Sequence, residues 1–197
     1  MAYRWTGLAA GLAAMAVASG AWAFELNTKA QAALSRGEAW AEVTPDPDGI
    51  SGRVKGVIDI AAPPALVWKV MTDCATAGKM ITNLASCKIV SGDQGRGWDV
   101  REHVTRKSLF LPGLRIVFRS DYEPFSRIRF RLVEGDLKVE QGEWRLQALK
   151  GGTATRVFYE NRLAVDLPIP KALIREGMRK DIPKVLANLR RVCLGAG

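Results

Sequence analysis

The chain has 197 residues, 48% hydrophobic and 25% charged, with a formal net charge of +9 and three cysteines. This composition excludes a disordered, collagen-like or low-complexity chain and suits one domain with a sizeable core. The excess of Lys and Arg fits either a polyanionic partner or a basic surface that only aids solubility.

Residues 1–23 have the layout of an export leader. Arg4 gives a short basic start, Gly7 to Gly20 is an uncharged run, and Ala21-Trp22-Ala23 is a small-residue cleavage site. The competing reading is an uncleaved anchor, which needs about 20 strongly apolar residues. This run is mostly Ala and Gly, so cleavage after Ala23 is expected, giving an exported protein that is periplasmic in a Gram-negative cell. Anionic lipid headgroups are the common polyanion there. A transient contact with an anionic membrane surface is therefore expected, and no nucleic acid.

Asn27 can cap a helix over residues 28–36 that Gly37 ends. A short strand at 38–43 with Trp40 as anchor, the dense turn Thr44-Pro-Asp-Pro-Asp-Gly49 and an extended run at 51–60 suggest a hairpin onto a larger sheet. Pro64 suits the first turn of a helix whose apolar side is Leu66, Val67, Val70 and Met71, joined by Trp68. A second short helix is expected at 75–80. Strands follow at 86–91, 97–107, 114–122, 126–133, 137–149 and 153–165. Arg127 to Leu132 alternates three arginines with three apolar residues, so that strand has one wet and one dry face. Pro168 and Pro170 break the sheet before a long helix at 171–194. Ile174, Met178, Ile182, Val185, Leu189 and Val192 share one of its faces, and Pro183 is expected to kink it. A sheet with one wet face must bury the other, and the long helix is its natural cover.

Gly56-Val-Ile-Asp-Ile-Ala-Ala-Pro-Pro-Ala-Leu-Val-Trp68 with Thr72-Asp73 resembles the opening of the START-like, or SRPBCC, superfamily, which includes coenzyme Q-binding and polyketide cyclase-like proteins. Gly135 to Trp144, then Gly151-Gly-Thr153, is similar to exported bacterial members. The resemblance spans about residues 51–194. It implies an α+β helix-grip fold, a curved antiparallel sheet wrapped around a long C-terminal helix, with two short helices after the first long strand. It also implies a deep apolar cavity and a hydrophobic ligand. The expected organisation is a leader at 1–23, an N-terminal helix and strand at 24–50, and the START-like domain at 51–197.

Strand parity places Phe118, Tyr122, Phe130, Trp144 and Tyr159 on interior faces, where they line a cavity or simply fill a core. Glu102 and Asn161 fall on the same faces, and polar groups buried there need partners. Ile174, Met178 and Ile182 of the last helix complete the candidate ligand-binding set, with Phe110 and Leu111. Those two belong to Leu109-Phe-Leu-Pro-Gly-Leu114, an apolar connection beside Arg106, Lys107 and Arg115 that either meets a bilayer or gate, or packs inward. His103, the one histidine, falls opposite Trp98, Val100 and Val104 and is expected on the outer surface. Cys74 and Cys87 can form a disulfide in an oxidising compartment or remain two buried thiols. Cys193 is expected to be a buried small apolar residue.

No metal signature or catalytic triad spacing stands out, and no cofactor is expected. The sequence therefore points to a monomeric, exported binding or transfer protein for a hydrophobic small molecule, a lipid, quinone or isoprenoid. Two alternatives stay open. One is a cyclase- or hydrolase-like enzyme centred on Glu102, Tyr159 and Asn161. The other is a macromolecular interaction module using Arg127, Arg129 and Arg131.

Overall fold

The computed structural model describes residues 24–48, 51–107, 112–165 and 170–195. The expected leader, and with it the candidates Phe110 and Leu111, lie outside the described residues.

Helix α1 (Thr28–Ser35) starts where the Asn27 side chain accepts a hydrogen bond from the Ala30 N–H at 2.8 Å. Gly37 lets the chain leave the helix at φ 72°. Strands β1 (Trp40–Pro45) and β2 (Ser51–Ile60) form the expected hairpin. Then come helices α2 (Pro64–Thr72) and α3 (Cys74–Met80), the second capped by Asp73 through the Ala75 N–H. Six strands follow: β3 (Leu84–Asp93), β4 (Trp98–Thr105), β5 (Arg115–Glu123), β6 (Arg127–Gly135), β7 (Leu137–Leu149) and β8 (Ala154–Val165). Helix α4 (Lys171–Cys193) closes the chain and stays helical through Pro183, whose ring removes one backbone donor without ending the helix.

All neighbours are antiparallel in one sheet, ordered β1-β2-β8-β7-β6-β5-β4-β3. β3 to β8 run as a meander. β2 then pairs with β8, so α2 and α3 must carry the chain from one side of the sheet to its far edge. The result is the α+β helix-grip fold, with α2, α3 and α4 on the concave face.

The main core lies under the C-terminal half of α4. Leu186, Leu189 and Cys193 meet Ile58, Ile60, Leu146 and Val157 of the sheet, Val67 and Val70 of α2, and Met80 of α3. Each fully buried aliphatic side chain stabilises this packing by about 1.5–3 kcal/mol. The buried line on α4 runs through Leu186, which the heptad-like stripe misses, while Ile174, Met178 and Ile182 are only half-buried. On the convex side Phe24, Ala30, Val57 and Phe158 form a second cluster under α1. A disulfide joins Cys74, the first residue of α3, to Cys87 of β3, with Cα atoms 5.3 Å apart. β3 is an edge strand with exposed Ile89 and Val90, and its register with β4 is broken twice.

Candidate ligand-binding cavity

A cavity of about 100 Å³ lies between the sheet, the two short helices and the C-terminal half of α4. Met71 of α2 and Ala77, Met80 and Ile81 at α3 form one side, and Val185 and Leu189 of α4 form the roof. Phe118, Ile128, Phe130 and Trp144 form the sheet wall, and they face inward because alternate residues of β5, β6 and β7 share the concave face. Phe118 meets Phe130 edge-on, with ring centroids 6.4 Å apart.

One corner of this wall is charged. Arg101 Nε donates to Asp99 Oδ1 at 3.0 Å and Nη2 donates to Asp99 Oδ2 at 2.5 Å. Nη2 also reaches the Tyr122 hydroxyl at 2.6 Å and the Thr72 carbonyl at the end of α2 at 3.2 Å. The Tyr122 hydroxyl donates in turn to Asp99 Oδ2 at 2.7 Å. Asp99 and Arg101 are both buried, and the bidentate geometry is what makes such a pair tolerable away from water. Burial pulls the guanidinium down, but Asp99 and Tyr122 together outweigh it and hold it above its ordinary range. Burial pushes the Tyr122 phenol up. Trp68 of α2 sits edge-on to Tyr122 at 5.8 Å and to the exposed Phe125 at 6.0 Å, so this corner is backed by rings out to the surface.

His103 belongs to the same face and lines the cavity, contrary to the expectation of an outer-surface residue. Its ring stands edge-on to Phe118 at 4.9 Å, and Nε2 is buried with no hydrogen-bond partner among the described residues. Burial, with the Arg101 charge nearby, lowers its pKa to about 4, so the imidazole is neutral. The same inversion removes Glu102 from the interior. Glu102 accepts from Arg115 Nε at 2.5 Å in an outward ion pair that also includes Glu134. The apolar residues of β4 are the cause of the error. Trp98 turns outward under the Arg119 guanidinium, 4.4 Å from its ring, while the paired charges take the inside.

A second polar group lies beyond the aromatic wall. Tyr159 packs on Trp144 at 4.2 Å and lies parallel to Phe130 at 6.2 Å. Phe130 reaches this far because Gly142 lies in its path. A Cβ there would be 2.8 Å from Phe130 Cζ and 2.0 Å from the Glu160 carbonyl oxygen. Asn161 is buried and donates from Nδ2 to the Tyr159 hydroxyl at 2.9 Å. Glu140, two residues before Gly142 on β7, completes the group. Asn161 Oδ1 and Glu140 Oε2 are both buried without a hydrogen-bond partner among the described residues. Burial raises the Glu140 pKa to about 7, against the smaller opposing pull of the Asn161 amide. Burial also pushes the Tyr159 phenol up, and the nearby Glu140 charge adds to it.

Of the residues singled out from sequence, Phe118, Tyr122, Phe130 and Trp144 are brought together on the cavity wall, with Tyr159 and Asn161 behind them. Ile182 packs against the main core, and Ile174 and Met178 are half-buried further along α4, away from this wall. Sequence reasoning missed Asp99, Arg101 and Glu140. Glu140 carried a usable signal, since it lies four residues before Trp144 and so shares its face. On the convex side Arg127 is paired with Glu123 and Glu143, and Arg129 with Glu123, so these arginines belong to a ladder of alternating charge. Among the described residues no group of three His, Cys, Asp or Glu side chains gathers as a metal site, and no helix is long and apolar enough to cross a membrane.

The fold has solved counterparts. The human StarD13 lipid transfer and protein localization domain is 14% identical, with a TM-score of 0.66 over 78% of this chain and 83% of that one. The STAR-related lipid transfer protein of Xanthomonas axonopodis is 15% identical, with a TM-score of 0.63 over 78% of this chain and 98% of that one. The Zhui aromatase/cyclase of Streptomyces sp. R1128 is 18% identical, with a TM-score of 0.59 over 74% of this chain and 93% of that one. At these identities the likeness is one of fold. No curated protein matches the chain at the sequence level. Residues 60–190 match the family described as polyketide cyclase / dehydrase and lipid transport, and the chain belongs to that family, within the START/SRPBCC superfamily.

Proposed function

We propose that this protein is an exported carrier that holds a hydrophobic small molecule, a lipid, quinone or isoprenoid, between the sheet and α4. The observation that carries the reading is the cavity, walled by Phe118, Phe130, Trp144, Met71, Met80 and Leu189 with one charged corner, which at about 100 Å³ has to widen around a ligand of this class. Apolar burial drives binding, at about 25 cal/mol per Å² before the costs of association. Arg101, Asp99 and Tyr122 satisfy one another at the charged corner and fix the shape of that end of the wall. The family's description, which includes lipid transport, supports the same class. The basic surface suits a passing contact with an anionic bilayer during loading.

A cyclase- or hydrolase-like enzyme is the second reading, and the neutral His103 beside Arg101 in the cavity wall is what favours it. For the interaction-module reading, Arg127 and Arg129 already have carboxylate partners, while Arg131 of the same strand is exposed.

Native mass spectrometry of the protein purified from its own exporting cells, followed by organic extraction, tests the carrier. A stoichiometric lipid, quinone or isoprenoid is the expected result. An empty protein that also takes up nothing from liposomes would sink the carrier reading. Turnover of a bound candidate that His103→Gln abolishes while binding persists would establish the enzyme.

A further inference from the structure

The two polar corners differ in what they leave unsatisfied. Around Arg101 both Asp99 oxygens and the Tyr122 hydroxyl are engaged. Around Asn161 the amide nitrogen is engaged by Tyr159, while Asn161 Oδ1 and Glu140 Oε2 are buried and unpartnered among the described residues. A buried acceptor left without a donor costs about 1–3 kcal/mol, and here two lie on one face of adjacent strands, β7 and β8.

We propose that Asn161 and Glu140 form a hydroxyl-recognition site, so that the ligand of this cavity is a hydrophobic, ring-bearing molecule carrying a hydroxyl. The inference rests on the carrier reading and narrows its ligand class. A hydroxyl both donates and accepts through a single small atom. It donates its one proton to Asn161 Oδ1 and accepts from the Glu140 carboxyl in its protonated form. A carbonyl offers no donor to Asn161 Oδ1, and a carboxylate would set a second negative charge beside an acidic group. The rings of Tyr159, Phe130 and Trp144 supply the flat apolar surface for the rest of the molecule. Neither oxygen is open to solvent, so the ligand must displace side chains to reach them.

Two probes that differ by one hydroxyl, 2-naphthol and naphthalene, are titrated by isothermal calorimetry at pH 6. The full mature protein is compared with Glu140→Met, Asn161→Leu and Tyr122→Phe. Both probes are expected to bind the unaltered protein. Glu140→Met and Asn161→Leu should each weaken 2-naphthol about tenfold and leave naphthalene unchanged. Retained naphthalene binding shows that the variant still folds around its cavity, and the two substitutions check each other if one fails to fold. Tyr122→Phe should leave the preference between probes intact. The proposal is overturned if Glu140→Met and Asn161→Leu leave the preference unchanged, which would mean that water alone satisfies these oxygens. It is also overturned if Tyr122→Phe, and neither of the others, abolishes the preference, which would put the hydroxyl at the Arg101 corner. If neither probe nor any larger ring compound binds the unaltered protein, the carrier reading itself fails and takes this site with it.

Discussion

The concave face carries two buried carboxyl groups in opposite circumstances. Asp99 holds a guanidinium in a bidentate grip and accepts from a phenol besides. Among the described residues Glu140 has no such bidentate grip, and its Oε2 is buried without a partner. The first group is finished by the fold and positions Arg101, Tyr122 and the end of α2. The second is left for something else to finish. Burial alone therefore does not tell a structural polar group from a receptive one, whereas hydrogen-bond satisfaction does.

Converting each carboxylate to its amide is the sharpest way to break the comparison, because the same chemical change should act with opposite signs. Asp99→Asn strands a buried guanidinium and is expected to cost about 3–5 kcal/mol in urea denaturation at pH 8. Glu140→Gln should stabilise the protein at that pH, since it removes a carboxylate that burial disfavours. An equal loss in both variants would erase the distinction.

Smaller effects follow from pH. The Glu140 pKa is about 7 in the fold against 4.5 for the free group, so the unfolded chain gives up its proton first. Its contribution to stability falls as pH rises from about 4.5 to 7. The His103 pKa is about 4 against 6.5, so the unfolded chain takes up its proton first, and stability falls as pH drops from 6.5 toward 4. The two slopes oppose each other where the windows overlap, each at most about 1.4 kcal/mol per pH unit. Urea midpoints from pH 5 to 8 should show a steeper acid loss in Glu140→Gln than in the unaltered protein. His103→Gln should be relatively more stable at the acid end, and parallel profiles in all three proteins would contradict both assignments. The convex face supplies the baseline. Arg129→Ala breaks the half-exposed pair with Glu123, 2.8 Å apart, and should cost less than about 1 kcal/mol.

The fold was legible in the sequence because period-two strands, proline stops and the amphipathic last helix all point to one arrangement. The site was legible where rings carry the pattern, as in Phe118, Phe130, Trp144 and Tyr159. It was illegible on β4, where Trp98, Val100 and Val104 advertise an interior face that is in fact exterior. Hydrophobicity assigns faces only while charges stay outside. The bidentate Asp99–Arg101 pair within β4 and Arg119 of β5 stacked over Trp98 reverse the rule together, and the second contact crosses strands, so local sequence does not show it. Glu140 was readable from its spacing to Trp144.

The broken register of β3 has a consequence for the molecule among other molecules. This edge carries exposed Ile89 and Val90, the kind of strand onto which another chain readily adds. The irregularities between Leu84 and Ser86 and between Ile89 and Ser91 interrupt the even spacing of backbone groups that an incoming strand would need. An incoming strand therefore meets a poor template at this rim, which disfavours edge-to-edge growth there.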